Sequence, residues 1–347
     1  MKAVVLKPGR ALALEDVPRP ELQDPDDMIV KVTTAAICGS DIHIKYGEIP
    51  GISPGTTIGH EFVGLVDQAG PAATRFKPGD RVVVAAGIWC GYCPACRRGD
   101  IQNCANMGVF GGGMFRGRTL QGAQTEYVRV PNANMCAMHI PRHVPDEQAV
   151  LVGDVLSTGY HAAREGRIDT GDTVAVFGCG PIGLAAIISA RLFGPRQVFA
   201  VDVFDNRLAL AEKFGATPLH AKDNPVDQIL AATNLDGVDL AIEAVGVPEV
   251  FGQALGSIRR GGMVSVVGLF NGSYELPLRM LGLYGFRLSM GLANLSYMNQ
   301  LMGLAAAGKV DLAPFCTHVF PLDEAMAAYD LFENRKDECM KVMLKVA

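Results

Sequence analysis

The sequence predicts an α/β protein of two domains, one mostly β and one a doubly wound parallel sheet with helices on both faces. Three observations carry this. At 347 residues the chain exceeds what one hydrophobic core usually covers. Up to about residue 150 it reads as short β segments between glycine and proline turns, with little helical periodicity. From about residue 155, uniformly apolar strands alternate with longer helical patterns, as a parallel sheet covered on both faces requires.

In the first part, MIVKVTTAAI (28–37), EFVGLVDQAG (61–70) and DRVVVAA (80–86) are rich in Val and Ile and bounded by turn residues. In the second part, TVAVFG (173–178) reads as a buried strand and IGLAAIISARLFG (182–194) as a helix. QVFAVD (197–202) is the next strand and NRLALAEKFGA (206–216) the next helix. VDLAIEAVG (238–246) and MVSVVGLF (263–270) are further strands, and FRLSMGL (286–292) is a candidate edge strand. SYMNQLMGLAAAGKV (296–310) reads as a helix, and the tail is expected to return to the first domain. The expected domains are therefore 1–154 with 297–347, and 155–296. Met280, Met290, Met298 and Met302 read as core or interface rather than as a cofactor box.

Hydrophobic residues at 49% and charged residues at 19% mark a packed globular chain rather than a disordered one. A net charge of −5 leaves no electrostatic footprint for nucleic acid. The uncharged stretch 173–190 is long enough to raise the question of a membrane span, but Gly178, Gly180, Pro181 and Gly183 interrupt it. The opening MKAVVLKPGRALAL breaks its apolar run at Lys7, Pro8 and Arg10. A soluble, cytoplasmic protein with no membrane partner is expected.

Gly178, Gly180 and Gly183 spell G-x-G-x-x-G, with Pro181 and Ile182 opening the helix that follows. Such triplets are common, but this one follows a strand directly and opens a helix. The first glycine permits a tight turn, the second lets backbone approach a pyrophosphate, and the third lets helix pack on strand. The helix N-terminus then offers free N–H groups and partial positive charge to phosphates. Nineteen residues past Gly183, Asp202 ends the next strand. A carboxylate there accepts the ribose hydroxyls of NAD and repels the extra phosphate of NADP. Arg207 reads equally well as a cover for the adenine face or as a solvated helix residue.

Four of the nine cysteines, Cys90, Cys93, Cys96 and Cys104, spell C-x-x-C-x-x-C-x7-C. Four thiolates at this spacing suit a closed tetrahedral zinc with no vacancy for substrate. A zinc ribbon for nucleic acid is the rival use, but the segment is short and the chain acidic. A second candidate set is scattered: Cys38 in AAICGSDIH, the pair His60 and Glu61 in TIGHEFVG, and Asp154 in LVGDVLSTGYHA. One sulfur, one nitrogen and one oxygen ligand leave a fourth position open, as catalytic zinc requires. Spacing alone does not select these residues.

GHE at 59–61, CGSDIH at 38–43, the cysteine loop at 90–104, GDRV at 79–82 and GCGPIG at 178–183 stand in an order that resembles the zinc-containing medium-chain dehydrogenase/reductase family over essentially the whole chain. The resemblance implies a GroES-like catalytic domain split around a Rossmann domain, and a reversible NAD-linked alcohol dehydrogenase holding two zinc ions. It implies that Cys38, His60 and Asp154 bind the catalytic zinc, with Glu61 as an outer partner or alternate ligand. Ser40 would take the proton of the alcohol and His43 would pass it on through the cofactor ribose, while Asp41 would orient His60. A small-molecule alcohol or ketone substrate and a homo-oligomer, dimeric or tetrameric, are also implied.

Two departures matter. The liver-type enzymes have cysteine as third ligand and the polyol branch usually glutamate, whereas Asp154 resembles the bacterial secondary-alcohol branch and the glutathione-independent formaldehyde dehydrogenases. The NADP enzymes of the secondary-alcohol branch lack the acid found at Asp202. The resemblance thus implies a secondary alcohol or polyol substrate, with an aldehyde, formaldehyde or primary alcohol as the alternative. A quinone reductase without zinc chemistry is disfavoured by the ligand set, and a non-enzymatic scaffold by an undamaged site.

Overall fold

The strand Met28–Ala36 is buried along almost its whole length, which follows from its run of Val, Ile, Thr and Ala. It sits at the middle of a mixed seven-stranded sheet in the computed structural model, which describes residues 1–270 and 272–346 and leaves the side chain of Met280 aside. Across that sheet the order is Ala137–His139, Arg81–Val84, Glu61–Ala69, Met28–Ala36, Lys341–Lys345 and Cys316–Pro321, with Tyr127–Val130 also pairing on Met28–Ala36. The tail thus returns: Lys341–Lys345 runs antiparallel to the central strand, with Leu344 opposite Ala35. Two compact units result, Met1–Asp154 with the chain from Asn294 onward, and Val155–Ala293.

In the first unit the helix Gly39–Lys45 follows the central strand after only two residues, Ile37 and Cys38. Its inner face buries Asp41 and Ile44, so a carboxylate takes a place that an apolar side chain would normally fill. The helix Asp146–Val152 packs on Met28–Ala36 and Glu61–Ala69 and delivers Asp154 at its end. The helix Ala325–Glu333 packs on Lys341–Lys345 and Ala11–Asp16.

The second unit is a six-stranded, all-parallel sheet. In the order of its own strands it reads 3-2-1-4-5-6, from Thr217–His220 through Gln197–Asp202, Thr173–Phe177, Val238–Glu243 and Ile258–Val266 to Arg287–Met290. This is the doubly wound order whose switch point, between the first and fourth strands, receives dinucleotides at the strands' C-terminal ends. The strand expected at 263–270 begins earlier, at Ile258, and ends at Val266. A register shift opposite Val238 and Leu240 absorbs the Gly261–Gly262 step. Arg287–Met290 is the edge strand. Met298 and Met302 are buried and Met290 is exposed, while the side chain of Met280, like Asn271 and Ala347, lies outside the described residues. Among the described residues no helix is long and apolar enough to cross a membrane.

Candidate active site

Cys38, His60, Glu61 and Asp154 come together in the first unit, with one ligand atom from each inside a spread of 4.8 Å. Cys38 caps the Gly39–Lys45 helix, His60 immediately precedes the strand Glu61–Ala69, and Asp154 follows the helix Asp146–Val152. His60 Nε2 lies 3.3 Å from Asp154 Oδ2 and 3.3 Å from Ser40 Oγ. Its Nδ1 points the other way, 3.6 Å from Asp41 Oδ1. Burial alone would lower the His60 imidazole, but Cys38, Asp154 and Asp41 outweigh it and hold the ring well above its ordinary value. A ring ringed by thiol and carboxylates in this way accepts positive charge, as a proton or as a metal ion.

Glu61 is placed differently. Its Oε1 accepts from Lys341 Nζ at 2.6 Å in an ion pair with essentially no solvent contact, and stands 3.9 Å from His60 Nε2. Burial would pull the Lys341 ammonium down, and Glu61, followed by Cys38, lifts it above its usual value instead. Glu61 Oε2 is buried with no hydrogen-bond partner. A sulfur, nitrogen and oxygen donor set gathered this closely, with a buried carboxylate oxygen left unmatched on the same glutamate, suits a cation. His60 and Glu61 are buried, while Cys38 and Asp154 remain partly exposed, so the set is open on one side.

The second cysteine set is closed. Its Sγ–Sγ separations are 3.6 Å for Cys93–Cys96, 3.9 Å for Cys93–Cys104, 3.5 Å for Cys90–Cys104 and 4.0 Å for Cys90–Cys96. A tetrahedral ion with Zn–S bonds of about 2.3 Å sets its sulfurs about 3.8 Å apart, so the cage matches zinc. Backbone N–H groups of Cys90, Cys93 and Asn106 donate to sulfurs of the cage.

Ser40 lies in the first turn of its helix, beside His60. His43, one turn on, pairs through Nδ1 with Glu48, a partner that no motif signals. Lys341, Gln124 and Tyr329 are likewise absent from any recognisable pattern, and they surface only through their contacts.

In the second unit, Gly178 adopts φ +92° at the end of Thr173–Phe177, and Gly180 caps the helix Pro181–Arg191 with Pro181 in its first turn. A Cβ at Gly183 would run into the Gly178 carbonyl. Asp202 ends its strand with both carboxylate oxygens engaged by backbone. Oδ2 accepts from Cys179 N–H at 2.6 Å, and Oδ1 accepts from Val203 and Phe204 N–H at 2.7 and 3.0 Å. Arg207 is not simply solvated: its Nη1 is 4.0 Å from Asp202 Oδ2, and its guanidinium lies 4.8 Å from the Phe204 ring centre. The glycine turn, the carboxylate and the guanidinium therefore share one corner of the sheet's C-terminal edge.

The doubly wound sheet and the two donor sets are the parts that a metal- and dinucleotide-dependent oxidoreductase needs. Residues 24–142 match the model of the alcohol dehydrogenase GroES-like domain, and residues 181–305 that of the zinc-binding dehydrogenases. An alcohol dehydrogenase of Cupriavidus necator is 36% identical over 366 aligned positions, covering 99% of this chain and 98% of that one. The solved alcohol dehydrogenase TADH from Thermus sp. ATN1 superposes with a TM-score of 0.93 at 40% identity, over 100% of both chains. A zinc-binding dehydrogenase of Sinorhizobium meliloti 1021, solved bound to NADP, gives 0.87 at 30% identity over 99% of each. The chain belongs to the zinc-dependent medium-chain dehydrogenase/reductase family, and is an oxidoreductase of its alcohol dehydrogenase group.

Proposed function

We propose that this enzyme reversibly oxidises a secondary alcohol or a polyol to a ketone, using NAD and two zinc ions per chain. The observation that supports it most is the placement of the Asp154 carboxylate beside His60 Nε2, with Glu61 drawn toward Lys341. When bound, zinc supplies Lewis acidity that acidifies an alcohol hydroxyl and NAD supplies the hydride acceptor. Cys38, His60 and Asp154 hold the metal, and Cys90, Cys93, Cys96 and Cys104 hold the other ion as a loop clip. Ser40 Oγ would take the hydroxyl proton while giving up its own, and His43, reached through the cofactor ribose, would pass it toward solvent beside the exposed Glu48. Lys341 neutralises Glu61, which keeps a second carboxylate from competing for the open position and leaves it as an alternate ligand.

The test is kcat/KM for matched substrates with NAD. A clear preference for 2-butanol over 1-butanol, or for a small polyol over formaldehyde, is expected. Preference for the primary alcohol or the aldehyde would place the enzyme in the other aspartate-ligand branch.

NAD is assigned from Asp202, since no Arg or Lys stands at 203–206 to meet a 2′-phosphate and Arg207 is already drawn to Asp202. The solved Sinorhizobium relative carries NADP and an alcohol dehydrogenase of Escherichia coli CFT073 was solved with NADH, so the local charge around Asp202 is what supports NAD here. Asp202→Asn removes the charge and keeps one oxygen for the Val203 and Phe204 N–H groups, while the Cys179 N–H loses its acceptor. It is expected to narrow the NAD preference by about tenfold, the equivalent of about 1.4 kcal/mol. Wild-type enzyme using NADP as efficiently as NAD would show that Asp202 does not face the ribose.

The partner expected at the edge strand Arg287–Met290 is a second copy of the chain. Leu288 and Met290 are exposed there, as are Leu278, Leu283 and Leu292 in the flanking segments. A bare apolar strand edge is otherwise an aggregation site. A dimer or tetramer by light scattering is expected, and a monomer at assay concentration contradicts it.

A further inference from the structure

The hydrogen bonds behind His60 continue past Asp41. Gln124 Nε2 donates to Asp41 Oδ2 at 3.0 Å, and Tyr329 O–H donates to Gln124 Oε1 at 2.7 Å. Asp41 Oδ2 also takes the Cys38 N–H at 2.9 Å. Its other oxygen, Oδ1, is buried without a hydrogen-bond partner and faces His60 Nδ1 at 3.6 Å. Asp41 and Gln124 are fully buried and Tyr329 nearly so. The row joins the helix Gly39–Lys45, the segment before Tyr127–Val130 and the helix Ala325–Glu333, which are far apart in the chain. Gly59, next to His60, has φ +95°, and the Gln124 side chain lies where a Cβ at Gly59 would stand, so glycine there lets the amide through.

Each link fixes the next. The Tyr329 hydroxyl gives its proton to Gln124 Oε1, which sets the amide with its NH2 toward Asp41 and the Ala36 carbonyl. The flipped amide would set an oxygen against a carboxylate and a carbonyl, so the observed orientation is the stable one. With two donors on Oδ2, Asp41 turns Oδ1 to the imidazole at 3.6 Å, where its negative charge favours the tautomer that carries the proton on Nδ1 and leaves the Nε2 lone pair toward Asp154. A buried polar row of this kind is costly unless every member is matched. Apolar residues at 124 and 329 would pack the two helices at lower risk. A separate tie, Glu333 accepting from Lys45 and Tyr46, already joins those helices without the row.

We infer that Gln124 and Tyr329 are positioning residues for the metal ligand His60, acting through Asp41. The inference rests on the reading of Cys38, His60 and Asp154 as a zinc site. Outer partners of a metal-bound histidine typically contribute 10–100-fold in metal affinity. The expected loss for Tyr329→Phe is about tenfold, because the hydroxyl is two side chains removed from the ring. The experiment follows zinc release from the whole enzyme to a chromogenic chelator, with the visible spectrum of the cobalt(II)-substituted protein alongside. In Tyr329→Phe, one of two zinc ions is expected to leave about tenfold faster, while the cysteine-cage ion leaves at the wild-type rate. The cobalt band of the mixed-ligand site should shift and that of the cage should not. Gln124→Met has nearly the same length and removes both the acceptor for Tyr329 and the donor to Asp41, so it carries the same test if Tyr329→Phe does not fold. Asp330→Asn, on the exposed side of the same helix, is expected to match wild type. Wild-type release and spectra in both Tyr329→Phe and Gln124→Met overturn the inference. A wild-type protein that holds only the cage ion overturns the zinc site beneath it, a result distinct from the first.

Discussion

Cys38→Ser is expected to remove one zinc per chain and to lower kcat by more than about a thousandfold while the fold persists. A serine hydroxyl does not ionise at neutral pH, so the soft anionic ligand is lost and His60 and Asp154 are left to hold the ion alone. Three powers of ten correspond to about 4 kcal/mol of transition-state stabilisation, within the range that a Lewis-acid metal supplies. Cys38 adds little to the core, because it caps a short helix and is partly exposed. Metal content, turnover and circular dichroism of the same preparation check the claim. Wild-type turnover with the ion gone would show that the mixed-ligand site is not catalytic.

Cys104→Ser should behave in the opposite way. Its sulfur lies 3.5 Å from Cys90 and 3.9 Å from Cys93, and it accepts N–H bonds from Cys90 and Asn106. Removing it opens the cage and frees the 90–104 loop. Loss of a structural metal belongs to the few single changes that cost about 4 kcal/mol or more. For a unit of this size that is a fall in melting temperature of roughly 8–16 °C. Calorimetry of both proteins checks it, with activity measured well below the transition, where residual turnover is expected. An unchanged melting temperature would mean that the cage does not clip the loop.

The parts of the molecule that were legible in the sequence are those compressed into short windows. Gly178 to Gly183 carry their own turn, and the four cysteines lie within fifteen residues, so local geometry fixes both sites. Cys38, His60 and Asp154 span more than a hundred positions and needed the family resemblance to be selected. The Gly39–Lys45 helix hides its periodicity, because the inner face buries the charged Asp41. Lys341 reads as one of two lysines that end the strand KVMLK, and nothing local says that it, rather than Lys345, meets Glu61 in the core. Gln124 and Tyr329 escape for the same reason: a buried hydrogen bond between residues 205 apart has no spacing signature. Asp202 was legible as a residue, but its three backbone hydrogen bonds were not, and they make it a structural element of its turn as well as a candidate ribose acceptor.

The central claim is that one chain holds a closed cysteine cage and an open mixed-ligand site with separable tasks. Metal analysis of the purified enzyme, under conditions where it turns over an alcohol with NAD, tests this most directly. The account predicts two zinc ions per chain, whereas one or none in an active preparation would contradict it.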